Sequence, residues 1–252
     1  MTTSEVCNME NRLKKDRVWI KGQTLTAAQR SERLENNITA LTVAFMGSMT
    51  GLFVLKAFQN KLLADAPLGL RAVLMVVLYW LVAVIPIMVA KQDGTTLSQL
   101  GFEKKGIVRQ VLIGITLGAA SSLVLTGVPH IAGFGRYVSS YLYTEPWQFA
   151  YQFVYCIAAV GAAEELVFRG VIYDKLNALF GRELYAAIGS SLLFGLFHIF
   201  GGSIVQVIFT AVIGFIFCTF RNKIKGCTLL SLMICHGVYD ALICVWTYLS
   251  AR

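Results

Sequence analysis

From Ile38 onward the chain alternates long apolar runs with short polar breaks. Ile38 to Leu55 and Ala72 to Ala90 contain no Asp, Glu, Lys or Arg, and each is close to the ~17–25 residues that a bilayer-spanning helix needs. Lys56, Lys61, Asp65 and Pro67 mark the break between them, and Lys91 to Gly106 forms the next one. Gln110 to Gly135 is a third uncharged run, ending near Pro129 and His130. Pro146 opens a fourth, apolar through Ala163, which then meets Glu164, Glu165 and Arg169 and continues as polar helix to Phe180 and Gly181. Leu184 to Phe220 is uncharged for 37 residues, too long for one pass and enough for two, with Gly201-Gly202-Ser203 as the turn. Cys227 to Leu249 makes a seventh span, interrupted by Asp240. The pattern predicts an all-α, polytopic transmembrane bundle of about seven spans, with room for an eighth, re-entrant or interfacial helix. Strands of alternating polarity, the mark of an outer-membrane barrel, are missing from the sequence. Residues 1–36 read as a polar tail with a helical stretch near Thr26 to Glu35, 37–135 as N-terminal membrane helices, and 146–250 as the segment carrying the chemistry.

Composition agrees with this pattern. At 56% hydrophobic and 14% charged residues, with a mean hydropathy of +0.65, the chain is outside the range of soluble domains. The net charge of +8 would suit a nucleic-acid partner, but no basic, aromatic-interleaved module is present and none is expected to bind. The basic residues report orientation instead. Alternating the seven spans puts sixteen of the 22 Lys and Arg on the side of the N-terminus and five on the other, predicting a cytoplasmic N-terminus in a cell-membrane protein. Six cysteines without a CxxC lie mostly in apolar runs, as small buried hydrophobes do. The first 36 residues do not resemble a secretory signal, nor the last five a prenylation box.

A charge kept within a membrane helix costs about 2.5–3.5 kcal/mol or more, so those that persist point to function. On one helix Glu165 and Arg169 stand at i and i+4 and can pair, whereas Glu164 is turned about 100° away and faces something else. The other ionisable groups in apolar runs are His130, His198, His236 and Asp240. His130, at a helix end, reads as a packing residue. His236 and Asp240 are again at i and i+4. If the fourth and fifth helices form a hairpin about Gly181, Glu164 and His198 each lie 17 residues from the turn. They are then level, about 25 Å from it. A desolvated carboxylate beside an imidazole can take a proton from water, with His236 steadying the oxyanion on an attacked carbonyl and Asp240 fixing its ring. Glu164, His198 and His236 are equally the inventory of a divalent-metal site, zinc for instance, with an open position. Phe194 reads as packing that shields an imidazole.

These residues resemble the CPBP intramembrane proteases, also called the Abi or CAAX-protease family, which includes the CAAX prenyl endopeptidases. The family pattern EExxxR, FxxxH, HxxxN/D is met in order by Glu164-Glu165 with Arg169, Phe194 with His198, and His236 with Asp240. The similarity covers roughly Gln148 to Leu249. It implies an endopeptidase opening toward the cytosol and acting on a membrane-associated protein or peptide, lipidated or not. By position, Glu164 and His198 would activate water, and His236 with Asp240 would serve the oxyanion. Both a metalloprotease route and a metal-free glutamate route fit the resemblance. Asp240 departs from the prenyl-protease Asn: an ionised Asp cannot donate to an oxyanion, so it must orient His236, stay protonated or bind metal. Two other classes fit the residues: a silent membrane scaffold or bacteriocin-immunity protein of the same fold, and a transporter using the ionisable groups as a proton relay. No repeated halves favour the latter.

Overall fold

The computed structural model describes residues 26–138, 140–200 and 204–251, and every regular element among them is helical. Helix α1 spans Ala27–Ala57 and runs on as a π-helical turn, Phe58–Leu62. Helix α2 is Leu68–Leu78 and α3 Leu81–Gln92. Helix α4, Ile107–Ser122, continues through a π stretch, Leu123–Gly127, into α5, Val128–Ile131. The fourth pass is composite: α6 Pro146–Tyr155, a π stretch Cys156–Gly161, α7 Ala162–Glu165, a second π stretch Leu166–Ile172, and α8 Tyr173–Phe180. Helices α9, Glu183–Phe197, α10, Ile204–Lys223, and α11, Leu229–Ser250, complete the chain.

Six helical segments are long and apolar enough to cross a membrane. With the charged 146–180 pass they make the seven expected. No further crossing segment is found among the described residues. The first pass differs from its expected bounds. Its helix begins at Ala27, so the helical stretch read near Thr26 to Glu35 is continuous with the span: Thr26 accepts from the Gln29 backbone N–H and the Gln29 side chain accepts from the Thr26 N–H, a reciprocal cap that starts the helix eleven residues before Ile38. The expected turn at Gly201-Gly202-Ser203 lies outside the described residues, as do residues 1–25.

Around an apolar core the bundle buries a charged cluster and exposes large apolar side chains. Phe53, Val108, Ile131 and Ile204 are more than two-thirds exposed, whereas Glu164, Glu165, Arg169 and Ser190 are at most 1% exposed. That distribution suits a lipid solvent, which rewards no burial of aliphatic side chains. Helix α11 is the central one: 61% of its apolar window is buried, against 22% for α10. Small residues bring backbones to it. A Cβ on Gly118 of α4 would lie 2.5 Å from the Cys235 carbonyl oxygen, and one on Gly237 of α11 would lie 2.5 Å from the Ile157 Cα.

Alternate connections meet at the same end of the bundle. Leu229 N–H donates to the Gly101 carbonyl, Arg109 to the Lys225 carbonyl, and Lys175 pairs with Asp93 at 2.6 Å. Gly181, at φ 63°, caps α8 at this end and turns the chain into α9, the hairpin read from the sequence. At the other end Ser140 N–H donates to Thr247 and Lys56 Nζ donates to the Phe200 carbonyl.

Candidate active site

The carboxylates sit on α7, a single α-helical turn between two π stretches. Such widened turns shift the side-chain register and recur at functional sites. All of Ala163 through Ile172 is buried. Arg169 reaches back one turn to Glu165, Nη1 to Oε1 at 2.9 Å, with neither side chain exposed. Its guanidinium lies over the Phe194 ring, 4.2 Å from the centroid, and is within 5.7 Å of Phe217. Gly214 makes room for it, since a Cβ there would stand 2.9 Å from Nη2. Arg221 donates to the Arg169 carbonyl, tying α10 to the second π stretch.

Close approach at Gly237 and Gly161 sets α11 against the first π stretch and so brings His236 to the carboxylates. His236 Nδ1 donates to Glu165 Oε1 at 2.8 Å, the oxygen that also holds Arg169. On the other side of the ring, Nε2 is 3.3 Å from Asp240 Oδ2 and 3.8 Å from Glu164 Oε2. The i, i+4 relation of His236 and Asp240 read from the sequence is therefore a contact, but the tighter partner is Glu165. Asp240 is the open member of the group, its side chain 27% exposed against 2% for Glu164.

Glu164 Oε1 accepts a hydrogen bond from the Tyr79 hydroxyl. Its Oε2 is buried without a hydrogen-bond partner among the described residues. The Oε2 of Glu165 is left in the same way, and what distinguishes Glu164 is the imidazole nitrogen across from its free oxygen. The gap of 3.8 Å to His236 Nε2 is too long for a hydrogen bond, yet a water seated to one side can touch both atoms.

His198 stands just past the end of its helix. Helix α9 ends at Phe197, and His198 opens a 3₁₀ turn to Phe200. Its Nδ1 must carry the proton, because it bonds the Phe194 carbonyl at 2.9 Å. The ring stands edge-on to Phe194 and Phe197, at 4.8 and 5.5 Å. Glu164 and His198 are level as expected: Phe168, one turn beyond Glu164, packs against Phe194 and Phe197 at 5.1 and 5.2 Å, and its carbonyl accepts from Ser190. No direct hydrogen bond or ion pair joins them among the described residues, and the imidazole nearest Glu164 is His236. Phe194 is the shared wall, touching His198, His236 at 5.8 Å, and Arg169. His130 bonds the Thr126 carbonyl and lies outside this group.

Among the described residues no three His, Cys, Asp or Glu side chains converge as ligands of one metal ion would. The hydrogen bonds from Nδ1 of His236 to Glu165 and from Nδ1 of His198 to the Phe194 carbonyl orient the two rings and leave Nε2 of each as the atom that would hold a metal or a water. A polar cavity of about 410 Å³ lies at the Gly181 end, lined by Tyr173, Asp174, Glu183, Arg221 and Asn222. Tyr173 is nine residues past Glu164, ~13 Å along a helix. The cavity therefore neighbours the site without containing the carboxylates.

Sequence reasoning missed Tyr79. A tyrosine within an apolar span carries no signal by itself, and the 3₁₀ turn on which it sits contains neither Gly nor Pro. It also missed Arg221, read only as a loop charge.

Fold and site together define a multi-pass helical membrane protein with a buried carboxylate–imidazole cluster. Residues 146–242 match the family model of the type II CAAX prenyl endopeptidase Rce1-like proteins, so this segment is similar to that family. No curated protein and no solved structure matches the chain.

Proposed function

We propose that the protein is an intramembrane endopeptidase that cleaves a membrane-associated protein or peptide with a water activated by Glu164. The observation that carries this reading is the buried Oε2 of Glu164, unpartnered among the described residues and 3.8 Å from an imidazole nitrogen. Oε2 takes a proton from water while the hydroxyl oxygen attacks the scissile carbonyl carbon. His236, held by Glu165 on one nitrogen and flanked by Asp240 on the other, presents positive charge to the oxyanion. His198, with its proton on Nδ1, keeps Nε2 as an acceptor that can hold the attacking water. As the tetrahedral adduct collapses, the C–N bond breaks and Glu164 passes its proton to the leaving nitrogen. A new carboxyl and a new amine terminus result, and Glu164 is ionised again.

Substrate reaches the cluster past Asp240 and His198, its partly exposed members. With the N-terminus cytoplasmic, as the charge asymmetry favours, the Gly181 end faces the cytosol.

The test is peptide hydrolysis by purified protein in detergent or liposomes. Glu164→Gln keeps the Tyr79 contact sterically but cannot take the proton, and should lower kcat by about 10²-fold or more. His198→Ala should lower it by a smaller factor. Unchanged hydrolysis in both would overturn the reading and favour a silent scaffold of the same fold.

A further inference from the structure

Between Leu78 of α2 and Leu81 of α3 the second span tightens to a single 3₁₀ turn at Tyr79 and Trp80, with the N–H groups of Trp80, Val82 and Ala83 bonded to the carbonyls three residues before them. Such a turn has poorer hydrogen-bond geometry than the α-helix on either side, and inside a membrane neighbouring helices can support it. Several neighbours do. The Trp80 indole donates to the Ala158 carbonyl at 3.1 Å, within the first π stretch, where the ladder is out of α register. Ser48 donates to the Val82 carbonyl at 2.9 Å, and Gly51 of α1 would bring a Cβ to 2.3 Å from the Leu81 carbonyl oxygen. The turn is thus clamped from both sides, against α1 and against the helix bearing the carboxylates. It delivers one polar atom, the Tyr79 hydroxyl, to Glu164 Oε1.

Resting on the endopeptidase reading, we infer that Tyr79 is a positioning residue for Glu164, supplied by the part of the chain that precedes the family-matched segment. A carboxylate can turn about its last torsion and present either oxygen. The Tyr79 hydrogen bond removes that choice: Oε1 is committed, and Oε2 is the oxygen left to face His236 Nε2. Nothing else among the described residues hydrogen-bonds Glu164, so this single donor sets the orientation of the base. The Tyr79 ring is itself held edge-on by Tyr155, centroids 5.7 Å apart, and Tyr155 stacks on Tyr151. Tyr155 therefore buttresses the ring without touching the carboxylate.

The test compares Tyr79→Phe, Tyr155→Phe and Glu164→Gln with wild type in the intact protein. The readouts are peptide hydrolysis and the infrared carboxylate stretch that disappears in Glu164→Gln. Tyr79→Phe keeps the ring and its packing, so its melting temperature serves as the check on folding. The expected result is a kcat lower by roughly ten- to a hundredfold with KM unchanged, as when an orienting partner of a catalytic group is removed. The Glu164 band should shift in Tyr79→Phe and stay in place in Tyr155→Phe. An unshifted band in Tyr79→Phe overturns the inference whatever the rate does, and so does a shifted band with an unchanged kcat. Equal hydrolysis by wild type and Glu164→Gln would strike the endopeptidase reading instead, leaving the band to decide the orientation of Glu164 alone.

Discussion

A guanidinium with no exposed surface, one hydrogen-bonded carboxylate, and an Nε and Nη2 without hydrogen-bond partners among the described residues, as at Arg169, is tolerable only while Glu165 remains ionised beside it. Removing one member of such a pair leaves an uncompensated buried charge, whereas replacing both with apolar groups is close to neutral. Glu165→Gln should therefore lower the unfolding free energy by about 3–5 kcal/mol in an SDS titration, and Arg169→Met by a similar amount. The double variant should recover most of that loss. A Glu165→Gln variant within about 1 kcal/mol of wild type would mean that the Phe194 and Phe217 rings suffice to hold the cation. This pairing was legible in the sequence because i, i+4 spacing fixes it locally. Which carboxylate holds His236 was not, since Glu165 and His236 meet only through the approach of two distant helices. The sequence pointed to Asp240 by the same local rule, and the longer-range partner proved the closer one, at 2.8 against 3.3 Å.

At the scale of elements, the geometry of the site depends on how near α11 comes to the fourth pass. Gly161 and Gly237 face each other across that contact, and a Cβ on either would meet backbone, the Met233 carbonyl oxygen at 2.6 Å or the Ile157 Cα at 2.5 Å. Backbone cannot step aside as a side chain can. Gly237→Ala should therefore cost about 1–3 kcal/mol of stability. By displacing His236 from Glu164 it should also lower kcat/KM by about 10²-fold, as a misplacement near 1 Å can. Gly69→Ala in α2, where nothing lies within 4 Å of the added carbon, should change neither. A rate loss common to both glycines would sever the link between this packing and the site. The helices themselves were readable from uncharged run lengths, and the Gly181 hairpin from a glycine flanked by polar residues. The 3₁₀ turn at Tyr79 and Trp80 and the π stretches around Glu164 were not. Both arise where tertiary hydrogen bonds compete with the i, i+4 ladder, and Leu78-Tyr79-Trp80-Leu81 or Val160-Gly161-Ala162-Ala163 contain nothing that announces them.

For the whole molecule, the remaining freedom is which end of the bundle faces the cytosol, and with it the side from which substrate arrives. The Gly181 end gathers Lys91, Lys104, Lys105, Arg109, Lys175, Arg182, Arg221, Lys223 and Lys225, while the opposite end has Lys56, Lys61, Arg71 and Arg136. An excess of this size orients short-looped membrane proteins with the basic end inside. An impermeant maleimide can test it in right-side-out vesicles with Cys7 replaced by Ser. Gln59→Cys, exposed at the sparse end, should label from outside, and Lys104→Cys only after the vesicles are opened. The five native thiols among the described residues are buried, but Cys227 lines the cavity at the basic end and could confound the result. Burial pushes its thiol up to about 11, against the opposing pull of Arg221. The thiolate is the reacting form, so at pH 7 Cys227 is almost wholly the unreactive thiol, and its labelling should climb about tenfold per pH unit toward 11. Rapid labelling of Cys227 at pH 7 in opened vesicles would show an open cavity with an ordinary thiol. Labelling of Lys104→Cys from outside would reverse the bundle, and an endopeptidase with that orientation would draw its substrates from the other face of the membrane.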